Sequence, residues 1–327
     1  MMVHARQSGA ALLTAMLTVA LVASLASGAL WQQWRSVELE AAERARVQST
    51  WLLTGALDWA RLILREDSRS GGPDYLSEPW AVPLAEARLS TFLATDKTVP
   101  DNDSSASQTF LSGLITDLQA RLNVTNLVEG GKVSEPALKA FAKLYEQLGL
   151  PPVELTTLAS NLRLALDYRP ENDAGPLAPL LPQRVDQLVW LGLSPTSLAV
   201  LRPYITLLPV RTPVNLNTAS ATVLFACIPS LDMAQAQRLV SSRQTAHFRT
   251  LEDVTKLLGQ TAVPLNNAQH SVNTRFFEVQ GRLRFDQTVV EEHSVVQRDG
   301  NEVKTLWRDR GASEQQSSPL HPLQYPS

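Results

Sequence analysis

The 327-residue chain is poor in the residues from which most catalytic and metal-binding sites are made. It has one cysteine, Cys227, so no disulfide can form within it. Its five histidines (His4, His247, His270, His293, His321) lie far apart, and no pair has the spacing of zinc ligands. There is no Gly-rich phosphate loop, no nucleophile elbow and no His-Glu-x-x-His run. Cys227 lies in the apolar run TVLFACIP and reads as a small buried hydrophobe instead of a nucleophile. An excess of charge is also missing. The net charge is −3, so bulk charge points to no nucleic-acid partner. Aromatics make up only 6% and are scattered, as packing residues would be. What remains is an ordinary folded composition, 44% hydrophobic and 19% charged, with room for two domains.

One stretch is unusual. Ala10 to Leu30 carries no charge, and as a helix it would span about 30 Å, the thickness of a bilayer's hydrocarbon core. Arg6 precedes it and Arg35 follows, which would leave the leader cytoplasmic. Three readings fit such a stretch. A cleaved secretory signal could end at Ala26 or Ala29; a plain anchor would stay intact; a type IV prepilin-like leader would be cut between Gly9 and Ala10, before the apolar run. The residues that follow favour the third. Val37, Ala41, Ala45, Leu52, Ala56, Trp59 and Ile63 recur at helical spacing, with charged residues between them and no proline before Pro73. One helix over about 10–66 is predicted, and a secretory signal would not merge into such a helix. Pilins carry a glutamate five residues after the cut; here that position is Thr14. A lone carboxylate in the membrane is costly without a partner, so a subunit lacking it need not dock on one beneath it, which suits a first or tip subunit.

Beyond Pro73 the stretch GGPDYLSEPWAVPL is rich in turn residues, and LSGLITDLQARLNVTNLV reads as a strand running into a loop. EPWAVPL followed by ITDLQARLNVTNLV resembles the minor pseudopilin K family of type II secretion systems. In that family a strand with Asp-x-Gln precedes an Asn-x-x-Asn turn, matched here by Asp117, Gln119, Asn123 and Asn126. The glycine-cut leader and the uncharged fifth residue match as well, and the likeness extends to about Phe285.

The middle, Glu135 to Leu258, is mostly helical in pattern. Ser134 is an expected N-cap, with Pro136 in the first turn and Gly149 at the stop. LGLSPTSLAVLRPY and PSLDMAQAQRLVSS align with each other, with Ser194 and Asp232 in one N-cap role, Leu193 against Leu231 and Leu201 against Leu239. This reads as two helical hairpins of helix-hairpin-helix type. The second also resembles the DNA-binding hairpins of competence proteins, which gives an alternative function, a membrane-anchored DNA-handling protein. Against it, Ser230 and Asp232 stand where hairpin glycines would approach a phosphate, and residues 213–259 carry only about +1.

The resemblance further implies a calcium-binding stretch in the insertion, here LALDYRPENDAGPL, with Asp167, Glu171 and Asp173 as ligands and Asn172 as a neutral one. A solvated turn-rich loop is an equal reading of the same residues. Asp101 to Asp103 begins like a calcium loop but lacks the later glycine and glutamate. After the helical middle, Phe277, Val279, Leu283, Phe285, Val289 and Val295 alternate as strand residues, and Asp299-Gly300 marks a hairpin.

The expected architecture is α+β, a type IV pilin-like fold with a long N-terminal helix and a small antiparallel sheet, interrupted by a large inserted all-α domain with helix-hairpin-helix (SAM-like) repeats. Its expected parts are a leader (1–9), a transmembrane segment (10–30), a first pilin part (31–128), the insertion (129–262), a second pilin part (263–310) and a disordered tail (311–327). By resemblance the chain is a non-enzymatic minor pseudopilin in the inner membrane with a periplasmic head. It is cut by prepilin peptidase, N-methylated at Ala10, and caps the pseudopilus tip for export of folded proteins. Its implied partners are minor pseudopilins I and J, the pseudopilus and the inner-membrane assembly platform, with no nucleic acid and no cofactor beyond the calcium.

Overall fold

The computed structural model describes residues 8–89, 109–167, 178–259, 265–285 and 288–313. The chain divides into two compact units, 1–54 and 55–327. Helix α1 (Ser8–Ser70) makes up the described part of the first and continues into the second. Its most apolar window has a mean hydropathy of 1.9 and no buried side chain, and the helix is long and apolar enough to cross a membrane. With no proline inside it, α1 ends only where Gly71 and Gly72 take positive φ, +68° and +114°.

The second unit holds a five-stranded antiparallel sheet in the order β1 (Leu84–Arg88), β2 (Thr109–Asp117), β9 (Phe276–Phe285), β10 (Thr288–Asp299) and β11 (Glu302–Ser313). Alternation sorts its faces. Ile115, Phe277, Val279, Val296 and Val303 pack with Leu57, Ala60 and Leu64 of α1, and Trp80 closes this core edge-on to Phe277, ring centroids 5.1 Å apart. The expected turn at Asp299-Gly300 joins β10 to β11, with Gly300 at φ +56°. Arg61 of α1 donates through Nη2 to the Val303 carbonyl at 2.7 Å, and Ser68 Oγ to that of Gly300 at 2.7 Å. Strand β11 reaches Ser313, so the first three residues of the expected tail are sheet; the remainder lies outside the described residues.

Between β2 and β9 the chain builds a helical body. Its helices are α2 (Glu135–Gln147), α3 (Pro152–Asp167), α4 (Pro195–Leu201), α5 (Ala221–Cys227), α6 (Met233–Thr245) and α7 (Leu251–Leu258), with a 3-10 helix at Val185–Leu191. Three two-residue pairings lie among them: β3 (Leu122–Asn123) with β6 (Ile205–Thr206), β4 (Val128–Glu129) with β5 (Lys132–Val133), and β7 (Val214–Asn215) with β8 (His270–Ser271). Its apolar core draws on residues from Leu122 to Val272, wider at both ends than the expected 129–262, because the loop after β2 turns Leu122, Val124 and Leu127 inward.

The repeated hairpins are present. Ser194 and Asp232 cap α4 and α6, accepting from the N–H of Ser197 at 3.2 Å and of Gln235 at 2.7 Å. Leu193, Leu231, Leu201 and Leu239 are all buried. Ser134 stands at the N-terminus of α2, but its hydroxyl makes no cap bond; it lies 3.4 Å from Glu129 Oε2 instead. Trp80 is buried as a packing residue should be, whereas Trp31, Trp34, Trp51 and Trp190 are exposed.

Two glycines separate backbone strain from crowding. Gly300 has open space around an added Cβ, so Gly300→Ala should cost only the left-handed penalty, about 1–2 kcal/mol. At Gly192, φ +95°, a Cβ would also lie 2.8 Å from Thr157 Cγ2, so Gly192→Ala should cost more. Urea midpoints of the two variants in detergent would test the order; equal losses would mean that Thr157 moves aside freely.

Candidate functional site

The processing residues Gly9 and Ala10 lie within the helical backbone of α1. Thr14 is exposed on that helix, and its hydroxyl donates to the Ala11 carbonyl at 2.9 Å. It is neutral and bonded to its own helix, so it offers no charge to a neighbour's amine.

The four motif residues, Asp117 at the end of β2 and Gln119, Asn123 and Asn126 after it, form a largely buried polar seam. Asp117 ends β2 and is fully enclosed. Its Oδ1 accepts from the Gln119 N–H (2.7 Å) and Thr274 Oγ1 (2.6 Å), and its Oδ2 from Asn215 Nδ2 (2.9 Å) and Thr218 Oγ1 (2.6 Å). Burial pushes the Asp117 carboxyl above its ordinary range, and these donors pull against it. Gln119 donates to the Pro213 carbonyl at 3.0 Å and accepts from the Arg275 N–H at 2.8 Å. Asn123 accepts from the Leu208 N–H at 3.2 Å and donates to the Val210 carbonyl at 2.8 Å. Asn126 grips both backbone groups of Thr212, at 2.7 and 3.0 Å. The motif therefore straps the exit of the sheet to segment 208–218 and to the return at 274–275.

A second cluster lies beside it. Arg298 of β10 reaches Asp67 of α1 through Nη1 at 2.5 Å, pairs with Asp74 through Nη2, and donates to the Thr274 carbonyl at 2.9 Å. Its guanidinium stands 4.9 Å from the Phe277 ring centre. Asp74 also accepts from the Thr274 N–H at 2.7 Å, and its carbonyl accepts from Asn215 Nδ2 at 3.1 Å, which joins the two clusters. Burial opposes the charge on Arg298, but Asp74 and Asp67 more than offset it and raise its pKa. Burial lifts Asp74 to about 6 against the pull of Arg298. Sequence pattern alone missed this cluster. The available signal was parity: Arg298 shares the face of Ser294 and Val296, which is buried.

Asp67, Asp74 and Glu78 also place three carboxylate oxygens within 4.8 Å of one another, a spacing that could hold a metal. Those groups already have internal donors. Arg298 serves Asp67 and Asp74, while Glu78 Oε2 accepts from the Tyr75 N–H at 2.9 Å and Trp80 Nε1 at 2.7 Å. Of the expected calcium ligands, Asp167 is exposed at the end of α3, and Glu171 and Asp173 lie outside the described residues. Cys227 is buried, with its thiol pushed up to about 12 by burial, as expected of a core residue. His270 is buried and held by the Cys227 carbonyl and the Asn266 N–H; burial lowers its pKa and keeps it neutral. At the second hairpin the Asp232 carboxylate caps α6, where it accepts from the Gln235 N–H.

Glu78 gives the site a pH dependence. Burial raises its carboxyl from 4.5 to about 7, and the nearby Asp67 and Asp74 add to the shift. The folded chain thus keeps a proton that the unfolded chain releases near 4.5. The stability from this group is complete below that pH and is lost as pH rises through about 7. Glu78→Gln retains an acceptor for Tyr75 and Trp80 without titrating. Its urea midpoint relative to the parent should therefore rise between about pH 5 and about pH 8; a constant difference would remove Glu78 from the pH response.

Comparison with known proteins agrees with this architecture. Two family models described as type II secretion system protein K match residues 120–210 and 214–273, which together take in most of the helical body with Asn123 and Asn126. The type II secretion system protein K of Pseudomonas aeruginosa is 29% identical over 329 residues, covering 93% of both chains. A chain in the crystal structure of the GspK-GspI-GspJ complex from the enterotoxigenic Escherichia coli type 2 secretion system superposes with a TM-score of 0.61. It is 17% identical and covers 83% of this chain and 99% of that one, so it shows the shared fold. The helical insertion, the pilin-type sheet and the end-to-end relative agree, and the chain is similar along its length to type II secretion system protein K.

Proposed function

We propose that this minor pseudopilin caps the tip of the pseudopilus and helps to start its assembly, for export of folded proteins, and that it acts without catalysis. The observation that carries the reading is Thr14, neutral and bonded to its own helix at the position where a repeated subunit would present a carboxylate. The large helical body between β2 and β9 supports it, since such bulk would obstruct a subunit added above. In this reading prepilin peptidase cuts between Gly9 and Ala10, Ala10 is N-methylated, and α1 stays as a single pass through the inner membrane with the head in the periplasm. The partners are minor pseudopilins I and J, as in the similar complex from Escherichia coli, then the pseudopilus and the assembly platform.

The test is position in the filament. Gold-labelled antibody against the head should mark one end of each pseudopilus, and the intact mass should correspond to a methylated N-terminus at Ala10. Label along the whole length would overturn the tip role, and an intact Met1 or a start after Ala26 would overturn the processing.

Calcium held at Asp167, Glu171 and Asp173 belongs to the same proposal. Chelation with EGTA should lower the melting midpoint of the parent and leave a variant carrying Asp167→Asn, Glu171→Gln and Asp173→Asn unchanged. Equal midpoints of the parent with and without EGTA would dismiss the ion.

A further inference from the structure

Lys143 of α2 places its ammonium in a cage formed by the hairpin between α5 and α6. The Nζ donates to the carbonyl oxygens of Ile228 at 3.1 Å, Pro229 at 3.3 Å and Leu231 at 3.2 Å. Below them the Phe225 ring offers its face, with the centroid 4.1 Å from Nζ. Three acceptors match the three donors of an ammonium, and the aromatic face adds cation–π attraction. Convergent backbone carbonyls are also the surroundings that replace the hydration shell of a potassium ion. The carbonyls lie just past the C-terminal end of α5, so the spot is electronegative whether or not a lysine is there.

We propose that the turn Ile228–Leu231 is a binding site for a small monovalent cation of the ammonium or potassium type, which the chain fills with its own Lys143. The repeat of this hairpin provides a contrast. In the alignment that sets Asp232 on Ser194, Pro229 corresponds to Leu191, and the Leu191 carbonyl accepts from the neutral amide of Asn161 on α3 at 3.0 Å. Both hairpins are thus held by a donor from an earlier helix, and the second uses a full charge. Burial lowers the Lys143 pKa, with Cys227 and Glu146 acting against it, so the amine is kept in a place that penalises charge unless the carbonyls answer it. The cage borders a cavity of about 490 Å³ between α2 and the α5–α6 turn, lined in part by Lys143, Glu146, Cys227 and Pro229. A free ion therefore has a route to the carbonyls once the lysine side chain is shortened.

The experiment uses the full chain in detergent. Lys143→Ala empties the cage, whereas Lys143→Met fills it with an apolar stem. Melting midpoints are compared in choline chloride, potassium chloride and ammonium chloride at equal ionic strength, choline being too large to enter. Both variants should melt below the parent in choline. Potassium or ammonium should raise the alanine variant by about 2–4 °C and leave the parent and the methionine variant unmoved. If the alanine variant does not fold in choline, the same specificity should appear as recovery of folded protein in potassium or ammonium. Equal salt responses in all three proteins, recovery that does not depend on the cation, or an alanine variant as stable as the parent in choline would each overturn the proposal.

Discussion

The buried guanidinium of Arg298 between Asp67 and Asp74 is the constraint on which the arrangement of the head depends. It brings together the end of α1 and the loop that follows it with the end of β10, more than 220 residues further along the chain. Exchange of a buried ion pair for apolar residues is often neutral, so such a pair adds little net stability, whereas loss of one partner strands a charge at a cost of about 3–5 kcal/mol. Its contribution is therefore to geometry. Once Asp74 is fixed, its other oxygen takes the Thr274 N–H, and its own N–H donates to the Val272 carbonyl at 2.9 Å. Its carbonyl takes Asn215 Nδ2, and the same amide reaches Asp117. One ion pair thus sets the loop, the loop sets the return of the chain into the sheet, and the return meets the carboxylate at which the chain left.

That meeting explains how a sheet of five strands accommodates so large an insertion. Asp117 and Phe277 are paired residues of β2 and β9, so the insertion leaves and returns at points about 5 Å apart. No strand is displaced, and the cost of closing a loop grows only slowly with its length. The remaining danger is a hinge at the two crossings. The polar seam removes it: Asp117 and Gln119 hold Thr274 and Arg275, while Asn123 and Asn126 hold residues 208–212. Side-chain amides suit this role because each donates and accepts at once, and can replace the sheet ladder for a segment that has left the sheet.

The sequence made part of this legible. The long helix was readable because no proline occurs before Pro73, the hairpin because Asp299-Gly300 separates two alternating runs, and the repeated caps because Ser194 and Asp232 stand in register between the two copies. Each of these depends on neighbours in the chain. The four motif residues could be recognised by type but not by partner, since Asn123 and Asn126 find theirs across the seam in the distant segment from Leu208 to Thr212. Arg298 was hidden for the same reason: its carboxylates are 224 and 231 residues distant. Ser134 shows the converse limit. Its type and position are those of a cap, yet Glu129 lies within reach of the hydroxyl and the cap bond is not made.

The two hairpins differ in a way that only their surroundings explain. Both present carbonyls at a turn between helices, and both copies bury the same leucines. In the first, Gly192 takes a left-handed turn tight against Thr157, and the neutral Asn161 meets the Leu191 carbonyl. In the second, the chain turns through Ser230 and Asp232 without a glycine, its carbonyls converge on one point, and a cation answers them from α2. The Asp232 carboxylate, which caps α6, and the Lys143 ammonium, which meets the carbonyls, both bond to the turn from within the chain. The polar groups of the second hairpin thus bond within the chain itself and help to hold the helical body together.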